Sequence, residues 1–182
     1  MGGWNVPNYE RQRFSLGPGV VYLGIAGLTP TVDVGGQRSG MVIEPVSENV
    51  DIDQGNPAMT VETFSRLQSV IARFTDLEWN PGRMAQALGA GLSEGAGNIM
   101  SFGGRVLTTK MAIKFVHDLP YGAKIEARIW NARGEGTHPL NFTDDPHEFE
   151  MSFKAIVAHT DWAGAALPKE KQLMRLIYTP GS

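Results

Sequence analysis

The chain has 182 residues, 42% hydrophobic and 19% charged, with a formal net charge of -3. That is about one domain's length, with enough apolar material for a core and without the basic excess of a protein that grips nucleic acid by its phosphates. Cysteine is absent, which excludes disulfides, thiol nucleophiles and cysteine metal sites.

Residues 1–17 read as an irregular N-terminal arm. Trp4, Tyr9 and Phe14 are spaced along it. A loose terminus normally lacks aromatics, so the arm is expected to pack, either on its own domain or on a neighbouring subunit. It carries no apolar run of signal length, so no leader is expected. Residues 18–182 read as a single β-rich domain without internal repeat or linker. No stretch reaches 18 apolar residues, so no membrane span is expected.

Gly19 to Ile25 (GVVYLGI) is a strand bounded by glycine. Gly27 to Gly36 is turn-rich. Met41 to Asp53 is strand-like, with Pro45 restricting it to an edge, bulge or bend, and QGNP at 54–57 is a turn. Between Met59 and Glu78 two periods compete. Alternation of Met59, Val61, Leu67, Ile71, Leu77 and Trp79 favours strand at 59–63 and 69–79, broken by a bulge. A helix over 60–74 is the rival, with Val61, Phe64, Leu67, Val70, Ile71 and Phe74 on one face. Asn80-Pro81 opens a short helix that Gly89 or Gly91 ends. The glycine-rich segment 89–104 is expected to be a mobile loop.

Three alternating strands follow, at 105–117, 123–131 and 147–159. Their expected inward sets are Leu107, Met111, Ile113 and Phe115; Ala123, Ile125, Ala127 and Ile129; and Phe149, Met151, Phe153, Ala155 and Val157. Each has an opposite wet face, the antiparallel pattern. Asp118 to Gly122 is a tight connection, 133–147 a long polar loop, and Gln172 to Thr179 a last strand. The fold class is therefore mainly β, an antiparallel sandwich or barrel-like domain with one short helix.

Little here resembles catalytic chemistry. Asp51, Asp53 and Glu62 faintly echo a calcium loop, but Asn56 and Pro57 occupy the places that need glycine and a backbone ligand. His138, Asp144, Asp145 and His147 share one loop at a spacing that matches no recognised metal site. His117 and His159 sit at strand ends and read as structural. GxSxG, HExxH, GxxxxGK[ST] and GxGxxG are all missing from the sequence. No enzyme activity, cofactor or metal is expected. One feature stands out. Glu44, Glu48, Asp51, Asp53 and Glu62 lie in a tract that holds no Lys or Arg. On a lone chain this reads as a solvated strand face. Repeated around a ring it would make a negative band that repels a polyanion.

The segments GPGVVYLG, TPTVDVGGQRSGMVIEPVSENVDIDQGNP and VIARFTDLEWNPGRMAQALGAG together resemble the tail tube (major tail) proteins of long-tailed bacteriophages. These are similar in turn to the inner-tube proteins of contractile injection and type VI secretion systems. Asp53-Gln54, and Glu78 followed by the helix at 81–89, fit the family's pattern. The likeness covers residues 18–90; beyond that it rests on strand order alone.

The resemblance implies a virion protein, assembled in the host cytoplasm, that forms hexameric rings. Their strands would join into one inner barrel and the rings would stack into a tube. The tube fills around a tape-measure protein, contacts other tail proteins and later conducts double-stranded DNA without binding it specifically. On this basis the five acids are expected to line the lumen, with Val50 and Ile52 pointing into the domain core. Trp4, Tyr9 and Phe14 are expected at subunit interfaces, with Asn141, Asp144 and Asp145 of the polar loop as a second candidate. A tail terminator or head–tail connector, or an unrelated ligand-binding β-barrel, are the alternatives.

Overall fold

The computed structural model describes residues 19–35, 37–55, 57–77, 80–89, 91–103, 109–136 and 148–181. The elements in chain order are β1 (Val20–Ile25), β2 (Val32–Asp33), β3 (Gln37–Gln54), β4 (Met59–Asp76), α1 (Pro81–Ala87), β5 (Gly91–Glu94), β6 (Ile99–Phe102), β7 (Lys110–Asp118), β8 (Lys124–Gly134), β9 (Phe149–Ala155) and β10 (Arg175–Thr179). Eight strands form one sheet in the order β2-β1-β7-β8-β9-β4-β3, with β10 also on β8. All of its pairings are antiparallel. The mainly β class with one short helix is what the alternation of the three later strands predicts.

The sheet curls toward closure. Val32 and Asp33 pair with β1, and the Val34 N–H donates to the Val21 carbonyl at 2.9 Å. By Gln37 the chain is paired with Asp76 of β4, at the other end of the sheet. A few residues thus bridge both ends. Inside the curl lies the core, built from Val21, Leu23, Ala72, Phe74, Met111, Ile113, Ile129, Met151 and Phe153, with Met84 and Ala87 of α1.

The helix begins and ends where the sequence requires. The Asn80 side chain accepts from the Arg83 N–H at 3.1 Å, and Pro81 opens the first turn. Gly89, at φ +69°, takes the left-handed conformation just beyond the C-terminus. Met84, Ala85 and Ala87 face inward. Replacing Asn80 with Ala should cost about 1 kcal/mol, read as a lowered melting temperature with the sheet signal unchanged.

Four expectations are settled or corrected. First, β4 is one continuous 18-residue strand: the favoured strand reading holds and runs on through 64–68, and the rival helix over 60–74 does not form. Register shifts opposite Glu48/Asn49 and Ile52/Asp53 insert Arg66 and Val61 as extra residues. These bulges reset the alternation, so that Met59, Phe64, Leu67 and Ile71 share one face at a spacing that mimics a helix. Second, within 89–104 residues Gly91–Glu94 and Ile99–Phe102 pair as a β-hairpin where glycine content had pointed to a loop. Third, the outer face of β8 is not wet throughout. Trp130 is buried, donates to the Lys171 carbonyl at 2.8 Å and meets the Trp162 ring edge-on at 4.8 Å. The C-terminal segment covers it. Fourth, Val157 lies past the end of β9 and is 48% exposed.

Candidate functional site

The feature that sets this molecule apart is the ribbon made by β3 and β4. The two strands pair along their length, but β9 pairs with β4 only from Ile71 to Asp76. Among the described residues, 59–70 and their partners in β3 therefore run on as two strands without a third. Their β-branched content (Val46, Val50, Ile52, Thr60, Val61, Thr63, Val70) favours extension. Every described residue from 45 to 68 is exposed. Among the described residues no strand pairs with the outer edge of β3, so both edges of the ribbon are open to them here. A lone two-stranded ribbon is marginal in water, and open edges invite pairing.

Register assigns each residue to a face. At the base, Met41 and Ile43 with Ala72 and Phe74 look into the core. Farther out the same face turns polar: Ser47, Asn49, Asp51 and Asp53 on β3 stand against Gln68, Ser65, Thr63 and Thr60 on β4. Thr63 Oγ1 donates to Asp51 Oδ1, and Thr60 Oγ1 to Asp53 Oδ1, each at 2.7 Å. Ser47 Oγ lies 3.4 Å from both Ser65 Oγ and Asn49 Oδ1. The opposite face carries Val46, Val50 and Ile52 with Met59, Phe64 and Leu67, interspersed with Glu44, Glu48 and Glu62. The polarity of the sheet thus inverts along the ribbon. Its hydrophobic side near the tip is the side that faces outward at the base.

Two expectations about the acids change accordingly. Val50 and Ile52 do lie opposite Asp51 and Asp53, but they are 44% and 49% exposed. The ribbon has left the body by that point, so no core is there to receive them. The five carboxylates also do not form one band. Glu44, Glu48 and Glu62 share the apolar face, and Asp51 and Asp53 the polar one. Glu44 is moreover compensated: Arg73 Nη1 lies 2.6 Å from its Oε2. That base sits on the neighbouring strand, 29 residues away in sequence, so a scan of the local tract misses it.

Trp4, Tyr9, Phe14, Asn141, Asp144 and Asp145, and also Glu78, His138 and His147, lie outside the described residues. His117 is buried in β7 with its ring stacked on Phe115, while His159 is exposed.

Two concavities flank these elements. One, of about 270 Å³, lies at the ribbon base between Pro45, Val46, Val70, Leu173 and Met174. The other, of about 310 Å³, lies between the β1–β2 turn and α1, lined by Leu23, Ile25, Leu28, Val32, Gln86 and Met111. Sequence reasoning missed the ribbon's apolar face. Its signal was the irregular spacing of Met59, Phe64, Leu67 and Ile71.

The chain matches no protein-family model and no curated protein.

Proposed function

We propose that this chain is a structural subunit that assembles with copies of itself into closed rings, stacked as the tail tube of a long-tailed bacteriophage. The observation that carries this is the ribbon: two long strands with open edges and an apolar, solvent-facing side. A chain that works alone has no use for it, and an obligate assembly buries such surface. The order of features across residues 18–90 supports the same reading, and so does a sequence without a catalytic motif.

Within such a tube the two faces of the ribbon take different roles. The hydroxyl, amide and carboxylate face, with Asp51 and Asp53, suits a wet channel that DNA traverses. The apolar face, with Glu44, Glu48 and Glu62, suits contact with protein. A tape-measure protein during assembly and DNA during ejection would meet the first face only. Reversing both charges, Asp51→Lys with Asp53→Lys, should leave assembly intact and slow DNA ejection, most at low salt where screening is weakest. Ejection at the unaltered rate in all salt conditions would remove the lumen assignment.

Sedimentation velocity on the purified chain tests the assembly itself. Species far larger than one 19.8 kDa subunit are expected. A single monomer boundary at every concentration would overturn the proposal.

A further inference from the structure

Resting on the tube assignment, the strand register points to where the protein-facing side of the ribbon docks: we infer that it lies on the basic face of the sheet of a second copy. That basic face is the one turned away from the core. Lys110, Arg133 and Lys154 stand side by side across β7, β8 and β9. Each alternates with a buried neighbour, Met111, Ala132 and Ala155, and so projects from the opposite side of the sheet. Four positions along β7, Lys114, Arg128 and Arg175 form a second row across β7, β8 and β10 on the same side. Cross-strand neighbours stand about 5 Å apart, where like charges are unfavourable. In these rows Arg128 alone has an ion pair with a described residue, Glu126 at 2.6 Å. A lone chain bears this repulsion without return; an acidic cover relieves it and fixes orientation.

The ribbon carries the complement. Glu48 and Glu62 are both exposed on its apolar face. Glu62 stands opposite Ile52, four positions beyond Glu48 along β3, or about 13 Å at roughly 3.3 Å per residue. The two basic rows have the same separation along β7. Between the acids lie Val50 and Phe64, 44% and 54% exposed. Between the rows lies an aromatic. The half-buried Trp162 meets Trp130, which stands on β8 between Arg128 and Arg133, at 4.8 Å, and the Arg128 guanidinium lies 5.6 Å from the Trp162 ring. A surface reading acid, apolar, acid thus faces one reading base, aromatic, base. Duplex DNA would match the cations alone. The ribbon matches the cations and the ring between them, and brings carboxylates that themselves need partners.

The two surfaces do not meet within one chain. Every described residue from 45 to 68 is exposed, and neither Glu48 nor Glu62 has an ion pair among the described residues. The sequence itself supplies the matching surface, so the occupant is a second copy. Each copy offers one ribbon and one basic face. The contact therefore repeats from copy to copy until a rotation closes it.

Zero-length carbodiimide cross-linking of assemblies made from an equal mixture of isotopically heavy and light chains tests the contact. Amide links from Glu48 or Glu62 to Lys110, Lys114 or Lys154 that join heavy to light chains are the expected result. Assemblies that form without such links overturn this inference and leave the tube assignment standing, whereas failure of the unaltered chain to assemble overturns both. Charge reversal gives a second reading. Glu48→Lys with Glu62→Lys, and separately Lys110→Glu with Arg133→Glu and Lys154→Glu, should each raise the concentration needed for assembly by about tenfold or more, with the thermal melt unchanged. Both reversals joined in one chain should restore it. No restoration overturns the pairing. So does duplex DNA that binds the assembled, unaltered chain and is lost with the Lys110, Arg133 and Lys154 reversal, because the basic face would then lie open in the assembly.

Discussion

Replacing Asp76 with Ala should destabilise the fold by about 3–5 kcal/mol, the cost of leaving a buried charge without its partner. The Asp76 side chain is fully enclosed, and its Oδ2 lies 3.1 Å from Nη1 of Arg83, itself only 14% exposed. The same guanidinium donates to the Val34 carbonyl and, at 3.3 Å, to the Asp33 carbonyl. One side chain on α1 thus ties the end of β4 to the β2 region, where the two ends of the sheet meet. Without the carboxylate, the largely desolvated Arg83 guanidinium loses this ion pair. At about 2–4 °C per kcal/mol for a domain this size, the melting temperature should fall by roughly 10 °C. Arg83→Met should be at least as severe, because it leaves the fully enclosed Asp76 carboxylate without this guanidinium. A melt of Asp76→Ala within 2 °C of the unaltered chain, at the precision of about half a kcal/mol, would show that this tie does not hold the sheet closed.

Replacing Ile52 and Phe64 together with Asp should abolish assembly while leaving the subunit folded. Both side chains are about half exposed on the ribbon's outer face, so the subunit gains little from them. Burying the remaining half of each in an interface would contribute about 1 kcal/mol per residue. The substitution removes that gain, and it also places two new carboxylates beside Glu48 and Glu62, which must be desolvated on docking. Sedimentation should report only monomer at concentrations where the unaltered chain assembles, and the thermal melt should move by less than about 1 kcal/mol. A large loss of stability would instead place the ribbon face in the subunit's own core. Unaltered assembly would detach it from any interface.

How far these features were legible in sequence depends on whether their causes are local. The helix start was plain, because a cap and a proline act within one turn: Asn80 and Pro81 stand where they were expected. The strands β7, β8 and β9 were plain because alternation is a property of one strand on one buried face. In β9, Phe149, Met151, Phe153 and Ala155 are all buried. What sequence left undecided or missed is nonlocal. Bulges at Val61 and Arg66 depend on pairing with β3, and they scrambled the period of β4 into a helix-like one. Trp130 is covered by a segment some 30–40 residues later. The split of the acids between two faces needed the register of β3 on β4, and the Glu44–Arg73 pair needed the neighbouring strand. The parity of Asp51 and Asp53 against Val50 and Ile52 was readable, but which side the body lay on was not. A sheet whose polarity inverts where a ribbon leaves the core keeps the same alternation on both stretches.

Electron microscopy of the purified chain tests the central claim most directly. Hollow rings stacked into tubes are expected, with the β3–β4 ribbon between subunits, Asp51 and Asp53 facing the lumen, and Val50, Ile52 and Phe64 covered by protein. Single particles of one subunit with the ribbon bare to solvent at every concentration would contradict it.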